Sequence, residues 1–234
     1  MYKNILAIFG ILLVGAGIVM AISGASVSGG GSTRWSGDAS GSNVTQGGNI
    51  TAINIALSTL TSKWASYYGN VSGTLILGDG SNNVYSWTWA SGTGGEVCVS
   101  TNSTFNFAAA HNMSNGTGID TAWGFTGTDV DSGNNTYSAY VGKQGCNLNF
   151  STANVYNTSN ITIQGLSNFK NCVIGANTTA MVAGQTHLLA FCTVIQPVSS
   201  GLNYKGQPAN YEVMVATNNT VGATETYYFY AELS

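Results

Sequence analysis

The longest uninterrupted apolar stretch of the chain lies at its start. Residues Ile5–Ile22 contain no charged side chain, Lys3 precedes them, and the small residues Ser23–Ala25 follow. A basic start, an apolar core and a small-residue site are typical of a secretory signal peptide. About 20 apolar residues also suffice to span a bilayer as a helix. The pattern therefore predicts an exported chain in which segment 1–25 is either a cleaved signal peptide or a retained apolar helix with membrane contact.

The residues expected to mediate assembly depend on whether segment 1–25 is cleaved or retained. If the apolar helix is retained, Gly10, Gly15 and Gly17 have the spacing of helices that pack closely on one another, and they mark an assembly face. Residues 26–48 are rich in Gly, Ser and Asn. This composition predicts a flexible linker, or an arm that docks on a neighbouring subunit with Trp35 as its anchor.

A helical period follows in residues 51–68. Apolar side chains recur every three to four residues, which forms one continuous face of a helix. Asn49 or Thr51 is a suitable cap, and Gly69 ends the pattern. We expect one amphipathic helix that lies on a sheet. Its apolar face consists of Ile53, Leu57, Leu60, Trp64, Tyr67 and Tyr68.

From Gly69 onward the apolar period is two, which predicts strands separated by Gly and Asn turns. The last strand is apolar on both faces, so we expect it to be covered on both. Residues 49–234 are therefore predicted to be a mainly β domain, an antiparallel β-sandwich of Ig-like or jelly-roll-like type with the packed helix. The predicted strands are Thr74–Leu77, Val84–Trp89, Val97–Val99, Phe105–Phe107, Tyr137–Val141, Asn160–Ile163, Lys170–Ile174, His187–Ile195, Tyr211–Thr217 and Thr224–Leu233.

Charge is scarce throughout the chain. Charged residues make up 6% of it, the net charge is −3, and the six Lys and Arg residues are scattered. A chain without a basic patch is not expected to bind nucleic acid. An uncharged surface tends to associate, unless sugars coat it or copies of the protein pack against it.

The four cysteines form no CxxC pair, which argues against zinc and redox motifs. In an exported chain, an even number of cysteines indicates disulfides, here two with three possible pairings. Cys172 and Cys192 lie within successive predicted strands. We therefore favour a Cys172–Cys192 bond, which leaves Cys98–Cys146.

N-glycosylation sequons are about twice as frequent as this composition would produce by chance. Because the chain is exported, we expect many of them to be modified. The twelve sequon asparagines are Asn43, Asn49, Asn70, Asn102, Asn112, Asn115, Asn134, Asn149, Asn157, Asn160, Asn177 and Asn218.

The sequence contains no known catalytic or cofactor motif, and we expect a protein that is neither an enzyme nor a cofactor carrier. Its two histidines, His111 and His187, have no local partners for a nucleophilic triad. Asp129 and Asp131 alternate in a Gly/Asn-rich loop, which favours a solvated turn and only weakly a Ca²⁺ site. Trp87 and Trp89 could form a platform that stacks on sugar, although core or interface roles are commoner.

Two segments, WASYYGNVSGTLILGDGSNNVYSW and PANYEVMVATNNTVGATETYYFYAEL, resemble stretches of uncharacterised archaeal exported proteins. The whole chain is similar in composition to glycosylated archaeal filament subunits of the thread or pilin type. This resemblance implies a β-domain that polymerises at a cell surface, through a retained N-terminal helix in the pilin type or an extended arm in the thread type. It implies no catalytic residue.

These observations predict a structural glycoprotein that polymerises with copies of itself into an extracellular filament. One alternative is a membrane-anchored surface glycoprotein or carbohydrate-binding adhesin. Another is a secreted enzyme with an unfamiliar site, which would gather Asp129, Asp131 or His187 in one pocket.

Overall fold

The structure is a computed structural model that describes residues 61–79, 81–89, 94–137, 146–176, 181–218 and 224–233. Several predictions fall outside these residues. They are the signal or apolar helix 1–25 with Gly10, Gly15 and Gly17, the arm 26–48 with Trp35, residues 51–60 of the predicted amphipathic helix, and the sequons at Asn43, Asn49 and Asn177.

The described residues are mainly β, and every strand pairing among them is antiparallel. None of their helices is long and apolar enough to cross a membrane. The strands are β1 (Trp64–Gly69), β2 (Thr74–Gly78), β3 (Asn83–Thr88), β4 (Gly95–Ser100), β5 (His111–Asn112), β6 (Cys146–Asn149), β7 (Asn154–Thr158), β8 (Asn160–Thr162), β9 (Lys170–Gly175), β10 (Leu189–Val194), β11 (Tyr211–Ala216) and β12 (Tyr228–Leu233). The α-helices are α1 (Thr117–Trp123) and α2 (Gly133–Thr136), and 3₁₀ turns span Phe107–Ala109 and Thr186–Leu188.

A six-stranded sheet forms the centre of the fold. Its order is β12-β4-β10-β9-β5, and β8 also pairs with β9. The middle strands β4, β9 and β10 are buried over almost their whole length. Their near-continuous apolar sequences are typical of strands that are covered on both faces.

The two faces of this sheet carry separate hydrophobic clusters. On one face, β1, β11 and α1 cover Val99, Val173 and Phe191. On the other face, the β6–β7 hairpin, which includes Cys146, covers Ile174 and the three cysteines of the sheet. Strand β12 contributes to both clusters with alternate side chains, as the sequence predicts for a strand covered on both faces.

The predicted helix over 51–68 is wrong at its C-terminal end. Trp64–Gly69 is strand β1, which pairs with β11 from Trp64↔Ala216 to Gly69↔Tyr211. Trp64, Ala65 and Tyr67 pack against the core, while Ser66 and Tyr68 are exposed. The spacing of Trp64 and Tyr67 fits a helical face as well as a strand. Pairing with a strand about 150 residues away decides between the two.

The region between β4 and β6 contains more regular structure than the sequence predicts. Phe107 begins a 3₁₀ turn and does not end a strand. Helices α1 and α2 and the short strand β5 lie where the sequence predicts only turns. Tyr137 is the C-cap of α2, and the rest of the strand predicted there lies outside the described residues.

The structure also corrects the favoured disulfide pairing. Cys98 bonds to Cys192, and Cys146 bonds to Cys172. In the sheet, Cys192 lies directly opposite both Cys98 and Cys172, because its strand runs between theirs. Strand order along the chain favours Cys172 as its partner. The β4–β10 pairing supplies Cys98 instead, and the β6–β7 hairpin brings Cys146 over Cys172.

Candidate functional site

Strands β2 and β3 form a hairpin that stands apart from the other sheets. All of its side chains whose exposure is described are open to solvent, from Thr74 to Thr88. Five of them are large apolar residues that are 50% to 79% exposed. They are Ile76, Leu77, Val84, Tyr85 and Trp87.

Both faces of the hairpin carry apolar side chains. The register pairs Leu77 with Tyr85, and Trp87 lies two residues further along on the same face. The Tyr85 and Trp87 ring centroids are 4.6 Å apart. Ile76 pairs with Ser86 on the opposite face. The hairpin therefore exposes an aromatic face and a second face of hydroxyl and aliphatic groups.

The base of the hairpin is fixed to the body of the protein. The backbone N–H of Trp89 donates to the Gly73 carbonyl at 2.9 Å. The Trp89 side chain is buried against Val97 and Ile195, so it anchors the hairpin and does not extend its exposed surface. Trp87 and Trp89 consequently do not form a joint sugar-stacking platform. Tyr85 and Trp87 are the exposed ring pair.

The tip of the hairpin is a turn that Asp79 organises. One carboxylate oxygen of Asp79 accepts the N–H groups of Ser81 at 2.9 Å and Asn82 at 2.7 Å. These backbone bonds hold the pKa of Asp79 below its usual value. Asp79 is the one charged residue between Thr74 and Thr88, and it lies in the turn and not on a strand.

A hairpin of this kind is unusual on an isolated protein. Two-stranded hairpins are marginally stable in water, and a third strand or a packed surface is needed to stabilise them. Sheet edges on monomers are commonly protected by lysine, proline or inward-pointing charge. Neither strand of this hairpin contains a charged residue or a proline. The arrangement indicates a surface that is covered in an assembly.

The predicted Ca²⁺ ligands meet a lysine in the structure. The Lys63 ammonium lies 2.7 Å from Asp129 Oδ2 and 2.6 Å from Asp131 Oδ1, and it is almost fully buried. Thr61 donates a further hydrogen bond to Asp131. No group of three or more potential metal ligands occurs among the described residues. The two carboxylates tie the start of β1 to the loop after α1.

The pKa values of this cluster reflect the ion pairing. Burial lowers the pKa of Lys63, but the hydrogen bonds to Asp129 and Asp131 outweigh it, so the net pKa is raised. The pKa of Asp131 is lowered, mainly by the hydrogen bond from Lys63 and further by the hydrogen bond from Thr61. Lys63 therefore stays protonated and Asp131 stays ionised near neutral pH. Local sequence patterns do not reveal Lys63 as the partner of Asp129 and Asp131, because it lies 66 and 68 positions before them.

A second pair of acids lies where β4 and β12 run side by side. Glu96 and Glu232 are directly opposite each other in the register. Glu96 accepts the N–H of Asn149 at 2.9 Å, and Glu232 accepts the N–H of Ser151 at 2.6 Å. Burial raises the pKa of Glu96 to about 7, the Asn149 bond opposes the shift, and the charge of Glu232 adds to it. The pair clamps the β6–β7 hairpin onto the central sheet.

The residues proposed for an unfamiliar enzyme site do not share a described cleft. One cleft of about 300 Å³ includes Asp120 but not Asp129, Asp131 or His187. Asp120 is a structural residue, because its carboxylate accepts N–H groups at the start of α2. His187 lies exposed in a 3₁₀ turn. The lining of this cleft is Thr117, Asp120, Thr121, Phe125, Gly127 and Asn134.

None of the sequon asparagines that the structure describes is buried. Six are exposed, namely Asn70, Asn112, Asn134, Asn149, Asn157 and Asn218. Three are half-buried, namely Asn102, Asn115 and Asn160.

Comparisons with known proteins identify no relative. No family model matches the chain, and no curated protein or solved structure is significantly similar to it. The geometry and chemistry of the chain itself therefore carry the functional argument.

Proposed function

We propose that this protein is a structural subunit of an extracellular, glycosylated filament that assembles from copies of itself at a microbial, archaeal-type cell surface. The observation that carries the proposal is the exposed β2–β3 hairpin, which is apolar on both faces. Covering such a surface with a partner is favourable by about 25 cal/mol per Å² of apolar area removed from water.

The remaining properties of the chain support this proposal. The two disulfides fit an oxidising environment outside the cell. Uncharged side chains can be packed against a neighbour at a small desolvation cost. Glycans on the exposed sequons would protect the outer surface. On this view the β-sheets form a sandwich of Ig-like or jelly-roll-like type, and the chain is not an enzyme.

The test is electron microscopy and sedimentation of the full chain collected from the surface of expressing cells. We expect the wild type to form filaments and the double variant Tyr85→Ser/Trp87→Ser to form small species. The matched control is Tyr156→Ser, because Tyr156 and Tyr85 are both 56% exposed and both lie on strands. Wild-type material that contains only monomers or a flat lattice would contradict the proposal.

A carbohydrate-binding adhesin, anchored through residues 5–22, is the second candidate. The exposed Tyr85–Trp87 ring pair favours it, because aromatic faces stack on sugar rings. In that case the double variant should lose retention on immobilised glycans while its sedimentation stays that of the wild type. The filament proposal predicts instead that the double variant sediments as smaller species than the wild type.

A further inference from the structure

We propose that two copies of this chain join by pairing their β2 strands edge to edge, antiparallel and centred on Ile76, to make one four-stranded sheet from two hairpins. The inference rests on the proposed function, since it specifies how one contact of the filament forms. A different contact must then extend the pairs into a filament.

The hydrogen-bond pattern shows which backbone groups are free for this pairing. In an antiparallel pair, residues alternate between those that bond across the pair and those whose N–H and C=O point outward. Trp89 bonds to Gly73 at the base of the hairpin, so Gly73 belongs to the inward-bonding set. By alternation, Thr74, Ile76 and Gly78 present their backbone groups at the outer edge of β2.

The outer edge of β2 is complementary to itself. When two β2 strands run antiparallel about Ile76, each Ile76 lies opposite its own copy. Thr74 of one chain then lies opposite Gly78 of the other. All three residues of each edge belong to the outward set, so donors meet acceptors at every pair.

Regularity favours β2 over β3 as the paired edge. Identical residues meet at a two-fold axis, so a charge there would face a like charge. The sequence of β2, TLILG, contains none. On β3, Val84 is an extra residue, because Leu77 pairs with Tyr85 while Gly78 pairs with Asn83. Such a bulge interrupts the edge and disfavours pairing.

The two-fold arrangement also keeps the bodies of the two protein copies apart. The hairpins point in opposite directions, so the two bodies lie at opposite ends of the shared sheet. The sheet has four strands, which passes the three-strand threshold for stability in water. Its aromatic face, with Leu77, Tyr85 and Trp87 from each copy, remains available for the contact that extends the filament.

The test uses single cysteines introduced into the full chain, whose four native cysteines are all disulfide-bonded. Directly opposite residues of a hydrogen-bonded antiparallel pair have Cα atoms about 5.5 Å apart, within disulfide range. We expect Ile76→Cys to give a covalent dimer on non-reducing gels. Ser86→Cys, the control on the outer edge of β3, should stay monomeric on the same gels.

A proline variant tests the backbone directly. Ile76→Pro removes an outward N–H and leaves the bonds inside the hairpin intact, whereas Ile76→Thr keeps that N–H and the β-branched shape. We expect the proline variant to lose dimers and the threonine variant to keep them, with equal melting temperatures of the protein body.

Three outcomes would overturn the inference. They are cross-linking through Ser86→Cys only, no cross-linking at either position, or a proline variant that dimerises as the wild type does. No cross-linking would also result if a segment of the same chain covers β2. Filaments that persist in any of these cases leave the proposed function standing, whereas wild-type chains that never assemble contradict the function itself.

Discussion

The buried carboxyl of Glu96 makes a sharp prediction about pH and stability. Glu96 is 5% exposed and faces Glu232 across the β4–β12 pair. Its pKa is raised to about 7 from the usual 4.5, first by burial and then by the charge of Glu232. The Asn149 N–H, which bonds to one of its oxygens, opposes the shift. The perturbation we propose is Glu96→Gln, which keeps an oxygen to accept that N–H and removes the titration.

The sign follows from the raised pKa of Glu96. Between pH 4.5 and about 7 the folded protein holds a proton on Glu96 that the unfolded chain has already released. The free energy of unfolding therefore falls as the pH rises through this window. One pKa unit corresponds to about 1.4 kcal/mol, so the full shift lowers the stability by about 3 kcal/mol above pH 7.

Urea denaturation of the oxidised protein at several pH values between 5 and 8 measures this effect. Glu96→Gln should gain stability relative to the wild type as the pH rises, by about 3 kcal/mol across the window. Titrating groups that do not interact with Glu96 are common to both proteins and cancel in the difference. The control is Asp79→Asn, since Asp79 has a lowered pKa and stays ionised throughout this range.

Two results would refute this reasoning about Glu96. One is a constant stability difference between Glu96→Gln and the wild type from pH 5 to pH 8. The other is a difference that shrinks as the pH rises, which would mean that the folded state favours the ionised carboxylate.

Four further predictions follow from the structure. Lys63→Met should lower the free energy of unfolding by about 1–3 kcal/mol, because it leaves two partly buried carboxylates without their cation. Millimolar Ca²⁺ should leave the wild-type melting temperature unchanged, because Lys63 already neutralises those carboxylates. Replacing Cys98 and Cys192 by alanine should cost about 1 kcal/mol more than replacing Cys146 and Cys172, because their sequence separations are 94 and 26. For the first and third predictions, urea denaturation of each variant gives the comparison, and equal stabilities would contradict them. Peptide mass spectrometry of the secreted protein should find glycans on exposed sequon asparagines, and a wholly unmodified protein would count against the proposed coat.

The amino-acid sequence by itself determined much of the β architecture. Period-two alternation predicted the hairpin strands at 74–77 and 84–89, and the apolar runs predicted β4, β9, β10 and β11. These patterns are local, because a strand must present its side chains to alternate faces whatever lies beside it. The even cysteine count likewise predicted two disulfides.

Tertiary structure decided the features that depend on distant neighbours. Trp64–Gly69 has a spacing that suits a helix or a strand, and β11 makes it a strand. Cys192 has a cysteine on either side in the sheet, and it bonds to Cys98 while Cys172 bonds to Cys146 from the β6–β7 hairpin. The cation for Asp129 and Asp131 comes from Lys63 at the start of β1.

The exposure of the hairpin is the clearest case of this division. The sequence shows that β2 and β3 are apolar on both faces, and an apolar pattern ordinarily indicates burial. A pattern records which side chains favour burial, but not whether anything in the same chain covers them. Only the packing of the described residues shows that Tyr85 and Trp87 face solvent. Trp89, which belongs to the same predicted strand, is buried. That difference locates the surface on which the proposed assembly depends.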